Sequence, residues 1–458
     1  MRKLILRSAP VAVLAALSAP ASAAFFQIAE QSASGIGNAF AGGAALAEDA
    51  SAVWYNPAGM TRLKNPQLVA GGSYLVPSFK ASNVNASTVG GTPSIKGGGG
   101  EAGQAALVPN LYATYPVSSL LALGAGINAP FGLATEYPDT WAGRYYALRS
   151  DIKTVNLNLG AAYKVHDLLS AGLGVNYQHL DAELTQAVDF ATLCAGVLLI
   201  FPSASACAQG GGFAQPNNPN DGKAKITAKG NAWGYNGGLL SQIGDTRIGL
   251  AYRSQMKYKL NGNFDLTPGT NVPPALLNDP RFRLVDSGAT ADVTLPSTIS
   301  LSAVQEIGRQ WSVMVDVTRT NWHVLPELRI KFDSGQTDQV VTLNLKDVYR
   351  YSIGATYRAD DAWTLRGGLA FDQSPVQSAP DRTPRLPDSD RRWISLGAGW
   401  RASPAWNFDF AYTYVKLKNS NVQKTDGGLG SENALRGNLS ADYQGSVQIF
   451  SAQARWTF

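Results

Sequence analysis

The chain has 458 residues, 45% of them hydrophobic, with a mean hydropathy of -0.09; no run of about 20 apolar residues follows the N-terminus, which argues against a helical membrane protein. Charged residues reach only 16%, below the usual ~25%, while 47 Gly, 18 Tyr and 10 Trp favour extended, interface-anchored structure over helices. The net charge of +5 is scattered rather than clustered, which argues against a nucleic-acid partner, and three histidines and two cysteines leave little for a metal or other cofactor site.

Residues 1–23 read as a signal peptide. Arg2, Lys3 and Arg7 form a positive n-region, Val11 to Leu17 a short apolar core, and Ala21-Ser22-Ala23 an A-x-A cleavage site. The apolar run is too short for a membrane anchor. The mature chain is expected to begin at Ala24, outside the inner membrane and in an oxidising space.

Residues 24–66 have no sustained strand alternation and are crowded with Gly, Ala and Ser. These ~43 residues are too few for a good independent core, so they read as a compact plug enclosed by something larger. Ala44 to Ala52 is expected to form one short helix carrying Glu48 and Asp49, and Asn56-Pro57 a turn. Phe26-Gln27, the Ser32 to Gly37 run, Ala47-Glu48-Asp49-Ala50 and above all Asn56-Pro57-Ala58 resemble the N-terminal hatch of the long-chain fatty acid transporter family of Gram-negative outer membranes, which also includes aromatic-hydrocarbon channels. The resemblance implies a hatch and ligand gate at Phe26, Asn56, Pro57 and Ala58. In the family the ring matching Phe26 enters the ligand pocket; packing of Phe26 against a wall is the alternative.

Fourteen strand-like segments follow, near 67–80, 104–116, 119–129, 151–164, 168–186, 223–243, 246–265, 283–306, 310–333, 338–358, 362–373, 390–402, 405–420 and 437–458. Their connections alternate between very short, such as Val117-Ser118, Gly244-Asp245 and Ser403-Pro404, and mostly long, such as 81–103, 130–150, 187–222 and 266–282. Short periplasmic turns alternating with long outer loops is the pattern of outer-membrane barrels, and an even strand number leaves both chain ends on the periplasmic side. The expected fold is therefore an all-β membrane protein: a 14-stranded antiparallel transmembrane β-barrel over 67–458 with a small N-terminal hatch in its lumen. By analogy it is expected to be a monomer, in contact with outer-membrane lipid and lipopolysaccharide.

The third segment alternates well from Leu121 to Ile127, then meets Asn128-Ala129-Pro130-Phe131-Gly132. Pro130 has no N–H for a ladder and Gly132 weakens pairing. Spacing alone allows a plain strand end. The resemblance implies instead a kink with a side opening at Ala129, Pro130, Phe131 and Gly132.

Outer loop 187–222 carries Leu193, Val197, Leu198, Leu199, Ile200 and Phe201, which need a reason to sit on a polar surface. A short helix folded over the barrel mouth and a groove that catches hydrophobic ligand are compatible readings. The resemblance implies the groove, with Leu276 and Leu277 contributed by the next outer loop. Cys194 and Cys207, the only cysteines, are expected to bond to each other in an oxidising compartment. Farther on, Arg385 to Trp393 matches the family again. An inward Arg385 or Arg391 suits a fatty acid carboxylate; pairing of Arg391 with Asp388 or Asp390 competes with that role.

Trp406 to Tyr414 is the clearest strand, with aromatic side chains at every even position. A soluble sandwich could produce one such strand, but five aromatics on one face suit lipid better. Phe450, Ala452, Ala454, Trp456 and Phe458 repeat the pattern, and a terminal Phe resembles the signal read by barrel-insertion machinery. No G-x-S-x-G, Walker loop or metal-spaced His/Cys cluster occurs, so an outer-membrane protease or phospholipase is disfavoured. The expected function is diffusion of hydrophobic compounds, foremost long-chain fatty acids, with lateral release at the kink. Aromatic-hydrocarbon uptake is the runner-up, and a structural or adhesin barrel the third reading.

Overall fold

The computed structural model describes residues 25–88, 95, 97–196, 205, 220–280, 283–428 and 431–458. The expected signal peptide, 1–23, lies outside them. The strands are β1 (Gln67–Ser87), β2 (Ala106–Pro116), β3 (Leu121–Asn128), β4 (Gly132–Glu136), β5 (Arg149–His166), β6 (Leu169–Asp189) and β7 (Asp221–Ile243). Then come β8 (Thr246–Arg253), β9 (Met256–Thr267), β10 (Ser287–Leu295), β11 (Thr298–Ile307), β12 (Trp311–Thr320), β13 (Glu327–Phe332) and β14 (Gln339–Thr342). The chain ends with β15 (Val348–Arg358), β16 (Trp363–Asp372), β17 (Arg391–Arg401), β18 (Trp406–Leu417), β19 (Ser420–Lys424) and β20 (Asn438–Thr457).

All pairings are antiparallel, and β1 pairs with β20 from Gln67↔Thr457 to Ser87↔Asn438, which closes the sheet into a barrel. The wall has fourteen strands, six of them interrupted: β3/β4, β8/β9, β10/β11, β12/β13, β14/β15 and β18/β19 are each one strand with a break.

The alternation seen in the sequence becomes an inside-out surface. Leu173, Trp233 and Leu396 are 73%, 69% and 62% exposed, whereas Asn156, Asn176 and Thr413 on inward faces are fully buried. Burying polar groups while exposing Leu and Trp is unfavourable in water and favourable where the outer face meets hydrocarbon. At the end of the wall that carries the tight turns, Trp363, Trp400, Phe408, Trp406, Trp456 and Phe458 form a row of neighbouring rings 4.6–6.1 Å apart. That is a membrane-interface girdle. Among the described residues no helix is long and apolar enough to cross a membrane.

Residues 25–66 pack against the inner faces of the wall. They hold a helical turn at Ala33–Gly37, another at Ala52–Tyr55 and a 3-10 helix at Pro57–Arg62. The helix expected over Ala44–Ala52 is not there. Asp49 is the physical reason: its carboxylate accepts from the Ser51 N–H at 2.9 Å and from the hydroxyls of Ser51 and Ser34, while Gln453 of β20 donates to it at 2.8 Å. An Asp that bonds its neighbours' donors this way competes with a helix, and Ala47 has a positive φ of 49°. The segment is pinned to the wall by long-range bonds. Asn56 Nδ2 donates to Ala44 O at 2.7 Å and to Leu239 O of β7 at 3.0 Å, and Arg455 of β20 donates to Glu48 O at 2.8 Å. Wall glycines allow the approach: a Cβ at Gly172, Gly249 or Gly368 would strike the backbone of Ala58, Ala44 or Asn38.

Candidate functional site

The third wall strand carries the most consequential break. β3 pairs with β2 as far as Leu111↔Ile127; beyond that point β2 pairs only with β1, and β4 pairs only with β5. The two sides meet again at the outer bridge Gly103↔Thr135. Along β5 the register moves from Asn128↔Asn156 to Gly132↔Lys153, so the interrupted strand carries one extra residue. That is a bulge, and it bends the strand at Ala129–Phe131.

The N-terminal segment takes up the backbone groups the break leaves over. Gly132 N donates to Phe26 O at 2.8 Å, Ile28 N donates to Pro130 O at 2.8 Å, and Gln27 bridges Phe131. Gln31 Nε2 donates to Ala129 O at 2.8 Å, and the Thr154 hydroxyl bonds both the N–H and the carbonyl of Phe131. The predicted opening residues and the predicted gate residue Phe26 therefore form one hydrogen-bonded unit. Asn56, Pro57 and Ala58, expected in the same gate, lie elsewhere, against β6 and β7. They anchor the segment instead.

Four rings seal the inner side of the break. Phe26 lies 5.9 Å from Phe131, 5.2 Å from Phe25 and 5.2 Å from Trp322, and all four are buried. Phe25 also meets Trp322 edge-on at 5.1 Å. Phe25 has a φ of 61°, a conformation unfavourable for a bulky residue. It is gripped at both ends: its N–H donates to Asp388 Oδ2 at 3.3 Å, and Arg391 Nη2 donates to its carbonyl at 3.1 Å. Arg391 and Asp388 are themselves ion-paired, and Ser374 donates to Asp388 at 2.7 Å. Of its two expected roles, Arg391 thus has the pairing with Asp388, where it holds the strained end of the segment.

Above the rings is a cavity of about 110 Å3, lined by Phe25, Phe26, Leu133, Ile152, Leu180, Ile226, Leu260, Val293 and Leu343 among others. Its lining is almost wholly apolar, as ligand sites tend to be. Ser150, Thr290 and Thr383 are polar, and the one charged residue in the lining is Arg385. Its guanidinium donates to the carbonyls of Arg149 and Thr185, to the Ser150 hydroxyl and to Gln186 Oε1, at 2.8–3.2 Å. No ion pair of Arg385 exists among the described residues. Burial, with the Arg436 charge beside it, pushes its pKa down to about 9, the mark of a cation lacking a counter-charge.

A second cavity, of about 220 Å3, opens between the outer loops and is lined by Tyr145, Gln186, Leu193, Phe264, Leu266, Leu284 and Leu435. Beside it Phe190, Leu193, Cys194 and Leu276 form a buried cluster against which Leu277 packs. The helical turns Phe190–Gly196 and Pro274–Leu277 bring the two loops together there. Gln186 lines this cavity and accepts from Arg385, which lines the inner one, so the two are neighbours. Val197, Leu198, Leu199, Ile200, Phe201 and Cys207 lie outside the described residues; Cys194 is disulfide-bonded.

Sequence reasoning missed Trp322 and Phe25, and it named Asp388 only as a partner of Arg391, not of Phe25. Trp322 sits where β12 breaks before β13, and Pro326 beyond it was the one local hint. The grip of Asp388 on Phe25 spans 363 residues, which no local pattern reveals.

Comparison with known proteins places these features. Residues 14–458 match the family model of outer membrane protein transport protein (OMPP1/FadL/TodX). The chain is 33% identical over 421 residues to a long-chain fatty acid transport protein of Escherichia coli, covering 90% of this chain and 92% of that protein. It is 31% identical to outer membrane protein P1 of Haemophilus influenzae, over 96% of each. A crystal structure of a Pseudomonas aeruginosa FadL homologue superposes with a TM-score of 0.82 at 25% identity, covering 95% of this chain and all of that one. The toluene transporter TbuX of Ralstonia pickettii shares the fold, with a TM-score of 0.63 at 19% identity over 92% and 98% of the two chains.

Proposed function

The chain belongs to the outer membrane transport protein family OMPP1/FadL/TodX, and as an integral outer-membrane barrel of that family we propose that it is a diffusion channel for long-chain fatty acids. The observation that carries the reading is an apolar cavity with one buried, unpaired guanidinium at its wall and a ring-sealed break in the barrel at its floor. A long alkyl chain fits the apolar lining, gaining about 0.8 kcal/mol for each CH2 taken from water. Its carboxylate fits Arg385, which then gains the counter-charge it lacks.

Residues 25–66 act as a hatch that blocks bulk leakage. Ligand is caught between the outer loops at Leu193, Leu276 and Leu277, passes Gln186 and enters the inner cavity. Displacement of Phe26–Ile28 from Pro130–Gly132 then opens the wall, and the ligand leaves sideways into the membrane. The chain carries no nucleotide-binding motif, and its cargo moves down a gradient.

The likeness to the toluene transporter TbuX points to aromatic hydrocarbons as a second cargo, and the apolar lining would accept them; Arg385 is what distinguishes a fatty acid. Binding of labelled oleate to the purified protein, with toluene as competitor, tests the order. Tight oleate binding that excess toluene displaces poorly supports the fatty acid reading. Equal displacement moves the assignment to aromatic hydrocarbons, and no binding of either leaves a structural barrel.

A further inference from the structure

A second interior cavity, of about 130 Å3, lies on the other side of the segment that closes the break. Phe25 and Phe26 face the apolar cavity, whereas Gln27, Ile28 and Ala29 line this one. One stretch of five residues is therefore the partition between them. The two rooms differ in chemistry: the second is lined by Arg253, Arg350, Asp316 and Asp372 as well as by rings.

Most of those charges are committed. Arg253 lies over the Trp54 ring and donates to Asn176 and to the Trp54 carbonyl. Asp316 accepts from the hydroxyls of Ser300, Ser302 and Thr318. Arg350 is different. Its Nη2 donates to Ala39 O at 2.6 Å, its Nε is buried with no partner, and its guanidinium rests between the rings of Phe40 and Trp393 at 5.4 and 5.1 Å. Asp372 stands across the strand pair from it in register.

We propose that Arg350 is a second carboxylate station, which holds the head group of an amphiphile while its tail passes through the break into the bilayer. The inference rests on the fatty acid reading above and adds a step to it. The physical problem is the charge. A tail gains free energy by entering lipid, but an ionised carboxylate drawn through hydrocarbon loses far more than a few methylenes return. Lateral release therefore needs a polar place on the lumen side where the head waits. When Phe26–Ile28 leave Pro130–Gly132, the partition goes with them and both cavities face the opening. Arg385 then releases the head group inward, Arg350 receives it on donors that were unused, and the tail goes out first.

The test compares oleate with oleyl alcohol, the same chain without a charge. In cells whose outer membrane carries the full chain or its R350M variant, the variant is expected to take up oleate roughly ten times more slowly, the loss of one charge-assisted hydrogen-bonded pair, with oleyl alcohol uptake unchanged. Equilibrium binding of oleate to the purified variant is expected to stay at the wild-type value, since the inner cavity and Arg385 are intact, and R350K is expected to recover part of the rate. Equal slowing of both probes, as expected if Arg350 only steadies the hatch through Ala39, overturns the station, and so does unchanged oleate uptake. A wild-type protein that binds no oleate overturns the fatty acid reading and the station together; wild-type binding with the other failures overturns the station alone.

Discussion

Phe26 is the residue on which the closed state turns, because its ring seals the partition and its carbonyl bonds the kink. Phe26→Ala removes a buried ring, a loss that weakens binding in the inner cavity by roughly tenfold on burial alone and leaves the passage wider. Weaker oleate binding with faster uptake, in a barrel that still shows heat-modifiable mobility on gels, is the expected result. Arg385→Met is expected to cost oleate roughly tenfold in affinity with toluene binding unchanged, measured in the competition assay. Glu30 gives a pH signature. Burial raises its pKa from 4.5 to about 7, and neither carboxylate oxygen has a partner. The folded state holds this proton more tightly than the unfolded one, so packing of the segment weakens as pH rises from about 4.5 through about 7. Protection factors at residues 25–40, which remove the intrinsic pH dependence of amide exchange, should therefore fall over that range in the wild type and stay level in Glu30→Gln.

At the scale of elements, the pairing Gln27↔Phe131 is a direct handle on the gate. Bridged antiparallel residues lie close enough for a disulfide. A Gln27→Cys, Phe131→Cys protein is expected to bind oleate when oxidised but not release it, with uptake restored by reductant; uptake that ignores the oxidation state would show that the segment need not move. Pro130, which cannot donate, and Gly132, which has no side chain to pack, marked where pairing weakens, but spacing alone allowed a plain strand end and only the resemblance implied a break. Five further breaks were not legible, because their cause is tertiary. At Asn321–Pro326, for example, the chain leaves the ladder to place Trp322 among Phe25, Phe26 and Phe131, all of them far away along the chain. The misplaced helix at Ala44–Ala52 has the same origin: good helix-forming residues lose to an Asp49 whose partners include Gln453 of the last strand.

At the scale of the molecule, the fourteen strands were legible because lipid outside and polar groups inside impose strict alternation, and tight turns on one side punctuate it. The candidate site was legible only where the chain resembles its family. The inner cavity draws single residues from many strands, and periodicity does not tell which of them face one another. Polar wall residues are also committed to residues 25–66: Arg366 bridges Glu48 and Asp409, and Gln453 reaches Asp49. Deleting residues 25–66 is therefore expected to leave a barrel that inserts but leaks, read as sensitivity to large hydrophilic antibiotics and as steady conductance in planar bilayers; an insulating deletion variant would mean that the loops alone stop the flow. The ring closure between β1 and β20 has a consequence for biogenesis. The first and last strands form the seam, so no cylinder exists until the ribosome has released the final residues. Residues 25–66 emerge before either edge and must be in position when the seam zips. The protein is thus assembled around its own contents, like a ship built inside its bottle.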